Sequence, residues 1–177
     1  MKKILSLCVV ALVALSVSAK PYNNSIGLVG GSGIGIQFKT MVTDNFTIIE
    51  EFGYLGSLCA VGQMNGMSIN ASTLGAMDNL VLAYQAKAAE GQGIELDWFV
   101  GGQIKVGYAG QYLGYNIGVI GLGAAAGIEG IIQNAPIAFS FDFRPGYGCA
   151  FGGDGYGGIT AMHLFDWTLN LAVRYKF

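Results

Sequence analysis

The chain has 177 residues and a formal net charge of −2, with 29 glycines and 53% hydrophobic residues. The slightly acidic balance argues against nucleic acid as a partner, because phosphate binding needs a basic patch. The high hydrophobicity excludes disorder. Charged residues make up only 11% of the chain, against roughly 25% in typical soluble domains.

The first segment, residues 1–19, has the form of a secretory signal peptide. Two lysines are followed by an apolar run and then by small residues that precede a cut after Ala19. The apolar run is shorter than the roughly 20 residues that a membrane-spanning helix needs. We therefore predict export, cleavage after Ala19 and a single domain over 20–177.

Beyond this segment, stretches of about ten residues alternate between apolar side chains and polar or small ones, and this period of two places the two sets on opposite faces of a strand. The alternation predicts eight strands at 24–30, 33–42, 46–55, 79–88, 95–109, 115–133, 137–147 and 164–177. No long apolar run follows residue 19, so the pattern predicts an all-β fold, a single eight-stranded antiparallel up-and-down transmembrane barrel. The pattern leaves open whether the first two segments form one long strand, which would leave seven strands and an open edge.

An even number of strands brings both chain ends to the same side of the barrel. Short turns are expected there at 43–45, 90–93 and 133–136. A tight hairpin at 30–32 and longer loops at 56–78, 110–114 and 148–163 are expected on the other side. The short turns would be periplasmic and the loops would face outward from the cell.

Glu50 is the residue that conflicts with the alternation, because the pattern places it on the apolar face with Phe52 and Tyr54. A carboxylate in lipid is costly. Either Glu50 lies near a membrane interface or a β-bulge near Glu50 and Glu51 shifts the register. We favour the bulge.

The face that would point into the barrel is polar or small. An eight-stranded barrel is just wide enough to be filled by side chains, and buried charges need partners. We therefore predict a lumen closed by salt bridges, with glycines making room for long side chains, and no open pore. The predicted inward residues are Gly33, Gly35, Gln37, Lys39, Glu51, Gln85, Lys87, Asp97, Gln103, Lys105, Glu129, Asp142, Arg144, Asp166 and Arg174.

Aromatic residues lie toward the ends of the predicted strands. Tyr and Trp favour the headgroup level of a membrane, although aromatic residues are enriched in strands of every kind. We interpret the set as membrane girdles. Its members are Trp98, Tyr108, Tyr147, Phe165, Tyr175 and Phe177.

Residues 165–177 read FDWTLNLAVRYKF, with an apolar or aromatic side chain at every odd position and Phe177 at the end. This segment resembles the closing strand of bacterial outer-membrane barrels. Residues 20–177 resemble the small eight-stranded group that includes OmpX and the barrel domain of OmpA. The resemblance implies a place in the outer membrane of a Gram-negative cell, contact with its lipids, and recognition of Phe177 by the barrel-assembly machinery. It implies location rather than activity.

Catalytic signals are weak. Some eight-stranded outer-membrane barrels modify lipid A with a His, a Ser and an acid, and His163 is the single histidine, but no spacing ties it to Ser57 or Ser68. The glycine-rich stretches 27–35 and 152–155 lack the strand–turn–helix context of a nucleotide site and a repeated acidic pattern for Ca²⁺. We predict no catalytic, cofactor-binding or metal-binding residues.

Two cysteines, Cys59 and Cys149, remain after residue 19 and fall just beyond predicted strand ends on the outer side. An exported protein can keep a disulfide, so pairing of these two stays open.

The sequence favours a non-enzymatic outer-membrane barrel with a structural or surface-interaction role, whose loops could meet an extracellular ligand. One alternative is a lipid A-modifying enzyme that uses His163. Another is a secreted soluble barrel of the lipocalin type, which would carry its apolar side chains inside and its polar ones outside.

Overall fold

The computed structural model describes residues 22–31, 33–55, 60–64, 67–71, 75–112, 115–153 and 159–177. Within these ranges the chain forms ten strands: β1 (Asn24–Gly31), β2 (Ile34–Met41), β3 (Phe46–Leu55), β4 (Ala60–Met64), β5 (Met67–Ala71), β6 (Gly75–Glu90), β7 (Ile94–Tyr112), β8 (Tyr115–Ile132), β9 (Ile137–Gly153) and β10 (Ile159–Lys176). Those ranges contain no helix that is long and apolar enough to cross a membrane.

Eight of these strands close into a barrel. The order is β1-β2-β3-β6-β7-β8-β9-β10, and β10 pairs with β1 from Ser25–Lys176 to Gly31–Asn170. All pairings are antiparallel, so the predicted eight-stranded up-and-down barrel is confirmed. The first two strands are separate and pair as a hairpin. Closure gives the strands of the ring partners on both sides.

One end of the barrel, which we call the turn end, carries the short connections. These turns lie at 42–45, 91–93 and 133–136, close to the predicted positions. The two ends of the ring also meet here, since the backbone N–H of Asn24 donates to the carbonyl of Phe177 and the N–H of Phe177 donates to that of Asn24, at 3.2 and 2.9 Å.

The opposite end, which we call the hairpin end, departs from prediction. β4 and β5 pair with each other inside the segment expected to be a loop at 56–78, and β6 begins at Gly75. β4 also pairs with β10 at Phe165, Leu164 and His163, beyond the point where β1 ends opposite Asn170. The hairpin therefore continues the wall beyond β1.

The two other predicted loops are also partly strand. β9 continues to Gly153 and β10 starts at Ile159, so much of the 148–163 loop extends the barrel wall, as does most of the 110–114 loop. These stretches are rich in glycine, and their apolar and polar residues alternate poorly, so the sequence pattern did not indicate strands there. They are extended because they pair with long neighbouring strands.

The predicted bulge at Glu50 is wrong. Glu50 lies opposite Phe38 on one side and Leu80 on the other, within an unbroken register. A one-residue slip would reverse every side chain of β3 and would turn the buried Ile49 and Glu51 outward. The cost of that reversal fixes Glu50 on the outer face, where it is half-buried near Asp78.

Large apolar side chains are exposed on the outer surface of all eight barrel strands. Representatives in strand order are Leu28, Ile36, Phe52, Leu82, Val100, Leu122, Phe141 and Leu171. Arg144 and Arg174 are 1% exposed and point into the lumen. The apolar face is therefore outside, the arrangement expected for a barrel surrounded by lipid and the inverse of a soluble lipocalin-type barrel.

The predicted aromatic residues all project outward. On β10, Tyr175 lies near the turn end, whereas Trp167 and Phe165 lie toward the hairpin end. The rings of Tyr84 and Trp98 are in tilted contact near the turn end, with centroids 5.7 Å apart. The two groups lie on either side of a band of apolar side chains, as girdles do at membrane interfaces.

Glycine makes room for large inward side chains, as predicted. Phe99 of β7 is buried directly opposite Gly127 of β8, and Gln103 is opposite Gly123. A Cβ atom added at Gly127 would lie 2.6 Å from Phe99 Cζ and 2.6 Å from Asp142 Cβ. The narrow lumen thus accepts a phenyl ring only because the facing residue has no side chain.

Replacing Gly127 with valine should therefore impair the barrel. Overpacking costs about 1–3 kcal/mol, and we expect a smaller folded fraction after refolding into lipid vesicles, measured by the heat-modifiable band on gels. Gly102→Val is the matched control, because Gly102 faces outward and an added Cβ meets only one atom, at 3.8 Å. Equal folded fractions for the two variants would contradict this account of the lumen.

Candidate functional site in the barrel lumen

The lumen is the part of the molecule in which polar side chains converge. Of the predicted inward set, the long polar side chains of the barrel interior are buried: Gln37, Lys39, Glu51, Gln85, Asp97, Gln103, Lys105, Glu129, Asp142, Arg144 and Arg174. Asp166 is largely buried. Lys87 is the exception, with a side chain 46% exposed at the rim of the turn end beside Glu90.

A first group of these residues lies toward the turn end, and we call it the turn-end cluster. Glu129 at its centre accepts hydrogen bonds from Lys39 and Arg174. Gln85 Nε2 donates to Glu129 and to Asp97, both at 2.7 Å, while Gln85 Oε1 accepts from Lys39 Nζ at 2.6 Å. The carboxylate of Glu129 is thus held by two cations and an amide.

A second group, the central cluster, lies further along the lumen. Arg144 forms a bidentate contact with Glu51, with both hydrogen bonds at 2.6 Å. The same guanidinium donates to Asp142 at 2.7 and 2.9 Å. Asn170 Nδ2 adds a donor to Asp142 at 2.9 Å. Planar bidentate pairing of this kind fixes geometry as well as charge.

Gln37 connects the two clusters. Its amide oxygen accepts from Arg174 of the turn-end cluster, and its amide nitrogen donates to Glu51 of the central cluster. The lumen therefore contains one continuous hydrogen-bonded network that draws on β2, β3, β6, β7, β8, β9 and β10. The predicted interior salt-bridge network is confirmed.

An apolar cluster fills the adjacent part of the lumen. Ile49, Val81, Ala83, Phe99 and Ala125 are in contact and at most 2% exposed. They come from neighbouring strands β3, β6, β7 and β8. The space left beside the ion pairs is thus packed, and the low local dielectric strengthens the pairs while making any unpaired charge costly.

Tyr22 is a lumen residue that sequence reasoning missed. It precedes β1, its hydroxyl donates to Glu129 Oε1 at 3.0 Å, and Lys176 Nζ lies 5.6 Å from its ring centroid. With Ile131 and Ala138 it forms a small buried cluster near the turn end. No pattern signalled this role, since Tyr22 lies outside the first alternating segment.

A third polar group lies toward the hairpin end. Lys105 Nζ contacts Asp166 Oδ2 at 2.6 Å. Gln103, the previous inward residue of β7, is 2% exposed, and neither polar atom of its amide has a hydrogen-bond partner among the described residues. Asn79 Oδ1 is buried without a partner within the same ranges. Nearer the turn end, Ser25 Oγ and Arg174 Nε are also buried without a partner among the described residues.

Of the residues weighed for catalysis, His163 and Ser68 lie on strands at the hairpin end. The backbone register places Ser68 opposite Gln63, Gln63 opposite His163, and His163 opposite Cys149. Two strand spacings, about 9.5 Å, separate the backbones of Ser68 and His163. Ser57 and Cys59 lie outside the described residues, so the question whether Cys59 pairs with Cys149 stays open.

The described residues of the two glycine-rich stretches lie in strands and in a hairpin. The described part of 27–35 is the β1–β2 hairpin, and Gly152 and Gly153 end β9, while Asp154 lies outside the described residues. No group of three or more His, Cys, Asp or Glu suited to a metal ion is present in the described part of the chain.

Comparison with known proteins supports the fold. No protein-family model matches the chain, and no curated protein matches it. Among solved structures, the crystal structure of a major outer membrane protein from Thermus thermophilus is similar, with a TM-score of 0.53 and 14% sequence identity. The match covers 89% of this chain and 100% of that one. At this identity the likeness concerns the fold alone.

Breaking the central cluster should lower the free energy of unfolding far more than breaking the ion pairs at the rim. Arg144→Met leaves two carboxylates buried without their cation, and we expect a loss of about 3–5 kcal/mol in urea unfolding from lipid vesicles. Lys87→Met is the control, because the side chains of Lys87 and its partner Glu90 are 46% and 53% exposed, and ion pairs at such positions contribute little.

A double variant tests the cause. Removing one carboxylate together with the cation, in Arg144→Met/Glu51→Gln, should recover part of the lost stability, since fewer uncompensated charges remain. Similar unfolding midpoints for Arg144→Met and Lys87→Met would show that the lumen network contributes no more to stability than the ion pairs at the rim.

Proposed function

We propose that the protein is a non-enzymatic outer-membrane barrel with a structural or surface-interaction role. The observation that carries this proposal is the sorting of side chains by the closed sheet, with apolar residues exposed on every barrel strand and charges gathered in the lumen. A water-soluble barrel with this surface would expose a very large apolar patch. The likeness to a solved outer membrane protein is consistent with this place.

In this proposal residues 1–19 direct export and are removed after Ala19. The turn end then faces the periplasm and the hairpin end faces the outside of a Gram-negative cell. The short connections at 42–45, 91–93 and 133–136 support this orientation, because outer-membrane barrels have short periplasmic turns and longer extracellular connections.

The lumen in this proposal is closed to ions. The turn-end and central clusters, joined through Gln37, and the apolar cluster around Phe99 occupy the barrel interior toward the turn end and at its centre. Tyr22 adds a ring at the turn end. The role at the cell surface then belongs to the hairpin end, where β4, β5 and the ends of β7–β10 prolong the wall.

The features of the carboxy-terminal strand are consistent with assembly by a dedicated machinery. β10 is the strand that closes the ring, and Phe177 lies outward at its end with its backbone bonded to Asn24. We propose that the barrel-assembly machinery reads this segment before β1 takes its place beside it. Nucleic acid has no role in the proposal.

If the barrel lies in a membrane, the stability lost on introducing an outward charge should depend on its depth in the bilayer. Leu171 lies midway between Trp167 and Tyr175 on β10, so Leu171→Arg would place a charge near the bilayer centre at a cost of about 2–4 kcal/mol. Ile137→Arg, at the turn-end start of β9, should cost much less. We expect wild-type protein in the outer-membrane fraction and this ranking in vesicle unfolding. Recovery as a soluble protein would contradict the proposal.

Because the lumen is closed in this proposal, we predict that the protein conducts no ions. Purified protein reconstituted into planar lipid bilayers should give no steady single-channel conductance, because the interior is filled by the two charged clusters and Phe99. A known open porin reconstituted in the same way provides the control. Long-lived uniform openings that scale with salt concentration would contradict a closed barrel.

A further inference from the structure

The seam of the barrel, where β10 pairs with β1, is a short pairing between the last and the first strands of the ring. β1 has 8 residues, whereas β7, β8, β9 and β10 have 17 to 19. The register of the seam runs only from Ser25–Lys176 to Gly31–Asn170. Since these two strands are not consecutive in the chain, no turn joins them, and local opening of the wall is expected to begin here.

The side chains of β1 add little to the seam from inside the barrel. Its inward residues are Ser25, Gly27 and Val29, and Ser25 Oγ is buried without a hydrogen-bond partner among the described residues. The hydrogen-bonded network of the lumen draws on the seven other strands of the ring. Within the described ranges, β1 is therefore the one barrel strand whose own side chains take no part in that network.

Tyr22 lies two residues before β1, at a point where the backbone is bonded to both neighbouring strands. The carbonyl of Asn23 accepts a hydrogen bond from the N–H of Met41 on β2 at 2.9 Å. Asn24 exchanges two backbone hydrogen bonds with Phe177, which follows β10. The Tyr22 side chain is 6% exposed. The backbone beside Tyr22 is thus fixed at the turn-end start of the seam, and its side chain is buried in the lumen.

From this position the Tyr22 side chain reaches strands on the other side of the seam. Its ring packs with Ile131 of β8 and Ala138 of β9, two strands that lie beyond β10 in the ring. Its hydroxyl donates to Glu129 Oε1 of β8 at 3.0 Å. Tyr22 therefore connects the start of β1 with strands beyond β10 through the inside of the barrel.

Glu129 is a firm partner for this hydroxyl, because it is bound from both sides of β1. Lys39 on β2 and Arg174 on β10 donate to its carboxylate, and Gln85 Nε2 donates at 2.7 Å. A hydrogen bond to a charged acceptor is stronger than a neutral one, and more so where the local dielectric is low. The Tyr22 hydroxyl thus joins the start of β1 to the carboxylate that already connects β2 with β10.

We propose that Tyr22 is a clasp that holds the seam between β1 and β10 closed, and that the seam is the first part of the wall to open when the clasp is released. Tyr22 supplies the side-chain contact with the lumen network that β1 itself lacks. It acts at the end of a short strand, where fraying of a backbone ladder begins. Its contacts with β8 and β9 form only when β1 lies beside β10, so docking of Tyr22 completes closure of the ring.

This inference goes beyond the proposed function and is separable from it. The clasp is a property of the closed barrel and is measured on folded, purified full-length protein in micelles. Failure of the clasp would leave membrane location untouched, and recovery of the protein outside the outer membrane would leave the clasp untouched.

The test is amide hydrogen exchange, followed by NMR, of the isotope-labelled protein in phosphocholine micelles. Tyr22→Phe removes the hydroxyl and keeps the ring, so we expect this variant to fold. Amides that bond across the seam, in 25–31 and 170–176, should exchange about tenfold faster than in the wild type, because a hydrogen bond to a charged group is lost. Amides that bond between β7 and β8 should exchange at the wild-type rate. Tyr22→Ala, which also removes the ring, should increase exchange at the seam further.

Tyr84→Phe is the matched control, because Tyr84 also lies near the turn end but faces outward beside Trp98. This variant should leave exchange at the seam unchanged. Wild-type exchange at the seam in Tyr22→Phe would overturn the proposal. So would a uniform rise over all eight strands, which indicates a general loss of stability, or a larger rise in another ladder than in the seam. Because Tyr22→Phe keeps the ring, it decides the question even if Tyr22→Ala does not fold.

Discussion

Pairing between β1 and β10 is the constraint on which the rest of the structure depends. It turns an eight-stranded sheet into a ring, and a ring has an inside and an outside that an open sheet lacks. Once the ring is closed, strict alternation along each strand assigns every side chain to lipid or to lumen. Charges that would be solvated on an open sheet, such as Arg174 and Glu129, become buried and must find partners across the barrel.

The lumen solves a problem of volume as well as one of charge. Eight strands leave little interior space, yet Arg144, Lys39 and Phe99 all point inward. Glycines on adjacent strands supply that space, as Gly127 does beside Phe99 and Gly123 does beside Gln103. Size complementarity and charge pairing therefore act together, because a guanidinium can reach a carboxylate on another strand only if the inward side chains between them are small.

Sequence reasoning succeeded where one physical rule dominated. The period of two sufficed for the eight barrel strands, the short turns and the inward set, because lipid outside and charge inside both enforce it. It failed at Glu50, where the local cost of a carboxylate suggested a bulge but the register of a whole hairpin overrode it. One outward acid costs less than turning Glu51 away from Arg144.

The other failures concern contacts between residues that are distant in sequence. Pairing of β4 with β10 places Val61 opposite Phe165, and the local sequence around Val61 gives no indication of that partner. Tyr22 is placed by Glu129, more than a hundred positions away. Of the candidate site, the sequence identified Gln103 and Lys105 as inward residues but not that one would be paired and the other left without a partner.

The polar regions of the lumen differ in how many charges they pair. Toward the turn end and the centre, Glu129 and Glu51 each accept hydrogen bonds from a cation and from an amide, so substitutions there remove interactions that the fold already uses. Toward the hairpin end, Lys105 and Asp166 form a single ion pair. Buried polar atoms without a partner among the described residues occur in both regions, at Gln103 as well as at Ser25 Oγ and Arg174 Nε. The network therefore stabilises the barrel by pairing its charges rather than by satisfying every donor and acceptor, since an unpaired buried charge costs more than an unpaired amide or hydroxyl.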